Sequence, residues 1–516
     1  MIKTEVETMS VQQELHYGHF IDGQDYLGHT PESLNVINPA NGEVYATMSM
    51  GSKEDVNTAV AAAKRAFNQP SWREMSNSDR GDLLFKCGQA IGAHAEELMF
   101  IESRDSGGTI RRAAGMDIPI VIDLISYYAD LIKTTNNIVD LPTKPLPEAG
   151  HAQIWQEPIG VCALITPWNF PIFIAVAKII PALAAGNTVV IKPSEYTPAS
   201  TTRLVQLLSQ VLPKGVLNVV NGDGASVGEA LTTHPDVGKV SFTGSTCVGK
   251  HIQKMAAESC KLVGLELGGK GPAIVMKDAD IDLAAYGITF GGLFNSGQAC
   301  ESGTRILVHE AIHDQLMEKL AAVCDTLVVG NPLDPATSYG PIANKNQYDR
   351  IMNYIDGAKQ QGLTFVCGGE AIKPKGFEGG YYVQPTIITD VKNDMDIAQQ
   401  EIFGPVLSVI KFSDEQQAIE IANETSYGLS AGIWSDDLVH AQKIAKQLQA
   451  GSIWINDWHM LRSDAPFGGY KSSGIGREFG IAGLQAFMQT KTVGVSLERD
   501  PRNKMMWSLL HTSPQQ

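Results

Sequence analysis

From Gly160 onward, short β-rich apolar runs alternate with helical stretches. Run 161–165 precedes a helical pattern over 172–184, and 188–191 precedes 199–208. Run 216–220 precedes 226–231, and 240–242 precedes 248–257. A parallel connection must cross over its sheet, so the crossing helices cover the faces and the strands read as continuous apolar runs. The predicted class is α/β. A second region of the same texture begins after Gly269. It has strands at 273–276 and 305–308, a helix at 283–293, and long amphipathic segments at 312–327 and 344–361. Further segments follow at 402–410, 415–424, 438–448 and 453–455.

The part before Gly160 reads differently. Residues 17–26 form a predicted hairpin with Asp22-Gly23 at its turn. Helical patterns cover 55–67, 78–100 and 118–133. The stretch 139–150 holds three prolines and reads as a crossing strand or linker. The tail from Asp500 is polar and is expected to be loose.

With 516 residues, 43% hydrophobic and 19% charged, the chain can bury two or more cores. A net charge of −16 argues against a nucleic-acid partner held by a basic surface. No apolar run is long enough to span a membrane, and the N-terminus, Met1-Ile2-Lys3-Thr4-Glu5-Val6-Glu7, lacks an apolar signal core. The seven cysteines are scattered without a CxxC pair, so neither a disulfide framework nor a zinc site is expected. These features predict a cytoplasmic enzyme with reduced thiols.

Several peptides offer chemistry. Phe294-Asn295-Ser296-Gly297-Gln298-Ala299-Cys300-Glu301 sets a thiol in a polar loop, and Leu265-Glu266-Leu267-Gly268-Gly269-Lys270 offers a carboxylate in apolar surroundings. A thiol nucleophile and a carboxylate base are what covalent carbonyl chemistry needs. Gly244-Ser245-Thr246 follows a strand and opens a helix, where unpaired N–H groups can hold an anion, although an ordinary glycine turn reads the same way. Lys192-Pro193-Ser194-Glu195 ends another strand, and its carboxylate could accept both hydroxyls of an adenosine ribose and repel a 2′-phosphate, or be a solvated loop charge. Thr166-Pro167-Trp168-Asn169-Phe170-Pro171 is a turn stiffened by two prolines, suited to presenting a donor to an oxyanion or simply to turning the chain. Gln400-Glu401-Ile402-Phe403-Gly404-Pro405 pairs a carboxylate with an aromatic ring.

Taken in order along the chain, with Pro466-Phe467-Gly468-Gly469 added, these peptides resemble the aldehyde dehydrogenase superfamily from about Tyr17 to about Val495. The resemblance implies a Rossmann-like cofactor domain (1–137 and 157–266), a second α/β catalytic domain (267–480), a small β oligomerisation arm (138–156 and 481–500) and a tail (501–516). It implies Cys300 as nucleophile, Asn169 with the Cys300 backbone N–H as oxyanion hole, and Glu266 as general base. It further implies NAD as cofactor, with NADP the less favoured choice. Lys192 and Glu195 would take the adenosine ribose, Ser245 and Trp168 the pyrophosphate, and Glu401 and Phe403 the nicotinamide ribose and ring. Thr166, Ser194, Gly244 and Leu267 complete that set. A homodimer or homotetramer is expected, with no nucleic-acid or membrane partner.

The implied reaction is oxidation of an aldehyde to a carboxylic acid through a thiohemiacetal and a thioester. Glu266 argues against transfer to coenzyme A, whose enzymes typically lack it. A catalytically silent NAD-binding or structural relative is the reading from another class. The chain departs from the family's pattern in two places. Where many members carry a second glutamate near Phe487, it reads Ala486-Phe487-Met488-Gln489, and the charged Glu301 follows the nucleophile. A carboxylate facing the thiol would raise its pKa; Glu301 is expected to point elsewhere or into the substrate tunnel. The tunnel residues implied are Phe170, Phe173, Ile174, Ala177, Glu301, Trp458, His459 and Leu461. Mostly apolar, with a small Ala177, they favour a medium-chain aliphatic or aromatic aldehyde. Arg462 leaves a carboxylate-bearing semialdehyde as the alternative.

Overall fold

The computed structural model describes residues 15–144 and 150–511, so the readings at 1–7, 145–149 and 512–516 lie outside the described residues. An eight-stranded sheet runs in the order Gly474–Ile475, Leu262–Glu266, Val237–Thr243, Val161–Ile165, Thr188–Lys192, Leu217–Val219, His19–Ile21 and Gln24–Tyr26. The five strands from Leu262–Glu266 to Leu217–Val219 are parallel, and the others pair antiparallel at the two edges. Val161–Ile165 and Thr188–Lys192 are buried at every residue, as sheet strands covered on both faces must be.

One face packs on helices Asn77–Ala93, Ile118–Thr134, Pro171–Ala184 and Ala199–Leu208. The other packs on Lys53–Phe67 and Thr246–Ala257. Strand order reverses at Val161–Ile165, whose neighbours are Thr188–Lys192 and Val237–Thr243. The crevice beyond the carboxyl ends at such a reversal is where ligands bind in open α/β sheets. The loops that open there carry Thr166–Pro171 and Gly244-Ser245.

A seven-stranded sheet follows, in the order Thr364–Cys367, Thr386–Thr389, Val406–Phe412, Arg305–His309, Pro272–Val275, Ser430–Trp434 and Ser452–Ile455. All pair parallel except the first edge strand. Helices Ile281–Leu293 and His313–Cys324 cover one face, and Lys345–Gln360, Glu415–Asn423 and Leu438–Ala445 the other. The Cys300 loop, Gly268-Gly269 and Glu401 precede Arg305–His309, Pro272–Val275 and Val406–Phe412, so all lie at the amino ends of this sheet. A third, antiparallel sheet joins Met488–Ser496, Gly150–Pro158 and Ile138–Lys144.

The expected hairpin is present, with Asp22 at φ 54 and Gly23 at φ 79 between its strands, the left-handed pair that a two-residue turn demands. Four expectations need correction. The helix expected over 78–100 is two helices, Asn77–Ala93 and Ala95–Ser106. His94 leaves helical geometry at φ −116, ψ 20, and its Nδ1 lies 2.9 Å from the Ala90 carbonyl at the first helix's end, two residues after Gly92. The segment 226–231 splits into a π turn, Gly224–Gly228, and the helix Glu229–Thr233. The segment at 402–410 is not one element: its strand begins only at Val406, because Phe403 is left-handed at φ 60 and Pro405 has no N–H to pair. The tail is not polar throughout: it contains the helix Met505–Leu510, on which Met505, Met506, Leu509 and Leu510 are exposed.

Asn187 joins three elements. Its Oδ1 accepts from Ile159 N (2.7 Å) and Gly160 N (2.9 Å), and its Nδ2 donates to the carbonyls of Ala182 (3.1 Å) and Phe487 (2.8 Å). It is fully buried, so Asn187→Ala strands backbone groups that water cannot reach. The substitution is expected to cost about 2–3 kcal/mol, read as a lower melting temperature in scanning calorimetry; an unchanged melt would refute this role.

Candidate active site

The Cys300 loop is held in a costly conformation. Asn295 (φ 51), Ser296 (φ 56) and Gly297 (φ 72) are consecutively left-handed. Non-glycine residues pay roughly 1–3 kcal/mol each for such backbone, so the surroundings must fix it. They do so through Ser296 Oγ donating to Gly340 O (2.7 Å), Gln298 Nε2 to Asn295 O (2.9 Å), and Ala343 N to Gln298 Oε1 (2.9 Å). At Gly297 a Cβ would stand 2.3 Å from the Gly404 carbonyl oxygen, so only glycine fits.

Arg112 ties this loop to the turn after Val161–Ile165. Its Nη1 donates to Asn169 O (3.0 Å) and Asn295 Oδ1 (2.6 Å), while Asn295 Nδ2 donates to Asn169 O (3.1 Å). Asn169 Nδ2 in turn donates to Gln298 O at 2.8 Å. Asn169 is thereby tied to Gln298, two residues before Cys300 in the chain, with its own Oδ1 buried and unpartnered among the described residues.

Asn169, Glu266 and Cys300 meet in one cavity. Phe170, Phe173, Ile174, Ala177, Glu301 and Leu461 line it with them. Met116, Thr243, Phe467, Phe479 and Glu478 also line it, and sequence reasoning missed these. Two residues expected in the lining stand behind it. Trp458 is buried, stacked on Trp434 at 5.7 Å and 7°, and its indole donates to Glu301 O at 2.8 Å. His459 is buried between Phe290 and Phe294, with ring centroids at 5.0 and 5.2 Å. Arg462 is exposed and forks onto Asp464 at 2.7 and 2.8 Å, away from any ligand role in the cavity.

Glu301 turns toward the thiol. Cys300 Sγ donates to Glu301 Oε2 at 3.2 Å, and Glu301 Oε1 lies 2.8 Å from His459 Nδ1. Burial pushes the Cys300 thiol well up, and Glu301, Glu401 and Glu266 push it further. For Glu301 itself burial acts upward, but the hydrogen bond and charge of His459 prevail and hold it below the usual carboxylate range. The field around Cys300 therefore favours the protonated thiol at rest.

Glu266 ends the strand Leu262–Glu266 and has an unpartnered Oε2 among the described residues. Burial raises its pKa well above the ordinary value, and the charge of Glu478 raises it again, against Lys178 and Arg477. A second carboxylate thus stands beside Glu266, supplied by Glu478 and not by the segment around Phe487. It pairs with the fully buried Lys178, whose Nζ also donates to Ser241 Oγ at 3.1 Å. Gln489 lies in the third sheet, exposed, donating to Pro158 O at 3.3 Å. The signal missed was Lys178, a lysine in the otherwise apolar helix Pro171–Ala184, which needs a buried partner.

The residues expected at a dinucleotide cluster around the strand-order reversal. Ser245 caps the helix Thr246–Ala257, and Gly244 N donates to Glu266 O (3.1 Å). Thr166 N donates to Lys192 O (3.1 Å), and the buried Lys192 Nζ donates to Gly222 O (2.8 Å) and lies 3.6 Å from Glu195. Ser194 Oγ accepts from Tyr196 N at 3.3 Å, and Leu267 is buried against Gly249. Trp168 meets Phe403 edge-on at 5.2 Å, linking this loop to the one holding Glu401. Glu401 Oε1 accepts from Gly269 N at 2.9 Å, and a Cβ on Gly268 would stand 2.2 Å from its Oε2. Burial raises Glu401 to about 7.

The aldehyde dehydrogenase family model matches residues 26–493. An aldehyde dehydrogenase of Emericella nidulans is 42% identical over 493 residues, covering 95% of this chain and 97% of that one. A betaine aldehyde dehydrogenase of Bacillus subtilis is 40% identical over 475 residues, covering 92% and 96%. The crystal structure of a Staphylococcus aureus betaine aldehyde dehydrogenase in complex with NAD+ superposes with a TM-score of 0.92 at 38% identity, covering 96% of this chain and 98% of that one.

Proposed function

The chain belongs to the aldehyde dehydrogenase family, and from that premise we propose that it oxidises a medium-chain aliphatic or aromatic aldehyde to its carboxylic acid with NAD. The observation that carries this reading is the shared cavity, where Cys300, Asn169 and Glu266 face a wall built of Phe170, Phe173, Phe467 and Phe479. An aromatic wall takes an apolar chain by burial. The exposed Arg462, already paired with Asp464, offers nothing to a terminal carboxylate, which disfavours the semialdehyde.

In this reading Lys192 and Glu195 hold the adenosine ribose, with Ser194 and Thr166 shaping the loops beneath them. Ser245, Gly244 and Trp168 hold the pyrophosphate at the N-terminus of the helix Thr246–Ala257, with Leu267 packed below. Glu401 and Phe403 take the second ribose and the ring. The partly exposed Glu195 carboxylate supports NAD over NADP, because a 2′-phosphate there would meet a like charge. The bound cofactor supplies the hydride acceptor.

The Cys300 sulfur attacks the carbonyl carbon, and Asn169 Nδ2 with the Cys300 N–H receives the developing oxyanion. Loss of hydride leaves a thioester on Cys300. Glu266 takes a proton from water, which attacks the thioester and releases the acid. Domains at 1–137 with 157–266 and at 267–480 would divide binding from chemistry, although Gly474–Ile475 pairs with Leu262–Glu266 and so crosses that division. The arm sheet leaves Ile138, Val139, Leu141 and Val495 exposed, which supports a homodimer or homotetramer closed over it. Light scattering is expected to give two or four chains per particle; a monomer would refute the assembly.

A panel of aldehydes varied in chain length and terminal charge, with a quaternary ammonium aldehyde included, is expected to yield NADH, fastest with apolar chains. Each cofactor's kcat/KM is compared, with NAD preferred. Cys300→Ala is expected to abolish turnover, and Glu266→Gln to give at most one burst of NADH per site. Undiminished steady turnover by Glu266→Gln would remove Glu266 as the base, and silence across the panel with Cys300 reduced would remove the function.

The pH profile follows from the raised pKa of Glu266. Below that pKa the carboxyl is protonated and cannot accept a proton from water, so thioester hydrolysis rises with pH until Glu266 ionises. Glu478→Gln removes the charge that helps to raise it and leaves Lys178 to stabilise the carboxylate. The rising limb of kcat is expected to move to lower pH in that variant; a shift to higher pH would contradict the arrangement.

A further inference from the structure

Glu301 and His459 have no part in the scheme above, yet Glu301 makes the only hydrogen-bonded contact of the thiol among the described residues, and His459 is hydrogen-bonded to Glu301 from behind. Both side chains are almost wholly buried, at 7% and 1% exposure, so this is not a surface pair dispersed by solvent. The Glu301 backbone is clamped as well, since its carbonyl accepts from Ser430 Oγ (2.7 Å) and Trp458 Nε1 (2.8 Å). His459 is held left-handed at φ 56, with its ring wedged between Phe290 and Phe294 and its Nε2 unpartnered. A buried ion-forming pair, fixed from every side and aimed at the reacting sulfur, is more than packing requires.

We propose that Glu301 is a further catalytic residue, the acceptor of the Cys300 proton during attack and its donor when the thioester is cleaved, with His459 as the residue that positions and stabilises its carboxylate. The inference rests on the cysteine chemistry proposed above and deepens it. As the C–S bond forms, the S–H bond breaks and its proton passes to Glu301 Oε2, while the carbonyl π pair moves to the oxygen facing Asn169. With the bound cofactor supplying the hydride acceptor, loss of hydride from the carbon would leave the thioester. When water has attacked, with its proton on Glu266, the C–S bond breaks and the proton on Glu301 returns to sulfur. The proton on Glu266 goes to solvent, so atoms and charge balance over the cycle.

Timing follows from acidity. A carboxylate held low and a thiol held high do not exchange a proton spontaneously. Sulfur becomes far more acidic once it shares electrons with the carbonyl carbon, so transfer is coupled to attack. At rest the same contact keeps the thiol protonated. The charges of Glu401 and Glu266 act in the same direction. The two carboxylates then divide the work: Glu301 serves sulfur, and Glu266 serves water.

Two measurements test this on the full-length enzyme. The first is the pH dependence of Cys300 alkylation by iodoacetamide, followed by mass spectrometry without aldehyde or cofactor. Glu301→Gln is expected to move the midpoint to lower pH, because one facing negative charge is gone, and Glu301→Asp is expected to restore part of the shift. An unchanged profile in the folded Gln variant overturns the proposal, whether or not any aldehyde is a substrate. The second is the rate of the NADH burst once a substrate is known. Glu301→Gln is expected to slow it at neutral pH by about 100-fold or more, with recovery as pH rises and the thiol ionises unaided. His459→Asn is expected to give a smaller loss with the same pH recovery. A burst unaffected by Glu301→Gln, or a loss equal at every pH, would overturn the role. Loss of the dehydrogenase reading itself would show differently, as no NADH from the wild type.

Discussion

The Arg112 guanidinium is buried with Glu102 and Asp117, and from that position it holds the two loops that make the cavity. Its Nη2 lies 3.2 Å from Glu102 and its Nε 2.8 Å from Asp117, which leaves Nη1 to bind Asn169 and Asn295. Its plane also lies over the Phe170 ring at 4.7 Å. A single buried cation between two buried carboxylates cannot be removed without stranding charge, so the geometry is rigid. The oxyanion donor and the nucleophile loop arise from different sheets, and this contact fixes their separation.

The cavity beyond Arg112 is unusual in its charge. Glu266, Glu301, Glu401 and Glu478 all act on it from low-dielectric surroundings, with Lys178 the nearest compensating cation for the pair at Glu266. Burial pushes Glu266 and Glu401 upward, whereas the His459 contact holds Glu301 down. Carboxyl groups set apart in this way can act as acid and base at one pH, which a row of equivalent carboxylates could not.

Much of this was legible in the sequence. The alternation of apolar runs and helical periods specifies buried parallel strands, and the strand ends carry Asn169, Glu195, Ser245 and Glu266 because loops at those ends are where ligands meet a sheet. The break at His94 had only Gly92 as a weak signal, since a single glycine lowers helix propensity without forbidding a helix. The partner of Lys178 was not legible either. Its periodicity marks a buried lysine, but Glu478 lies 300 positions away along the chain and is brought close only by the packing of Gly474–Ile475 on the first sheet. The positions of Trp458 and His459 behind Glu301 were not legible for a related reason, because proximity in the chain to Leu461 does not determine which side of Glu301 a ring occupies.

By itself the sequence determined the α/β class, the order of the elements and the residue types capable of carbonyl chemistry, because period and local backbone preference act over a few residues. Which way Glu301 turns, which carboxylate stands beside Glu266 and which residues back the cavity were decided only by the tertiary structure. Those outcomes depend on desolvation and on pairings between elements distant in sequence, whose energies exist only once the chain has closed around them.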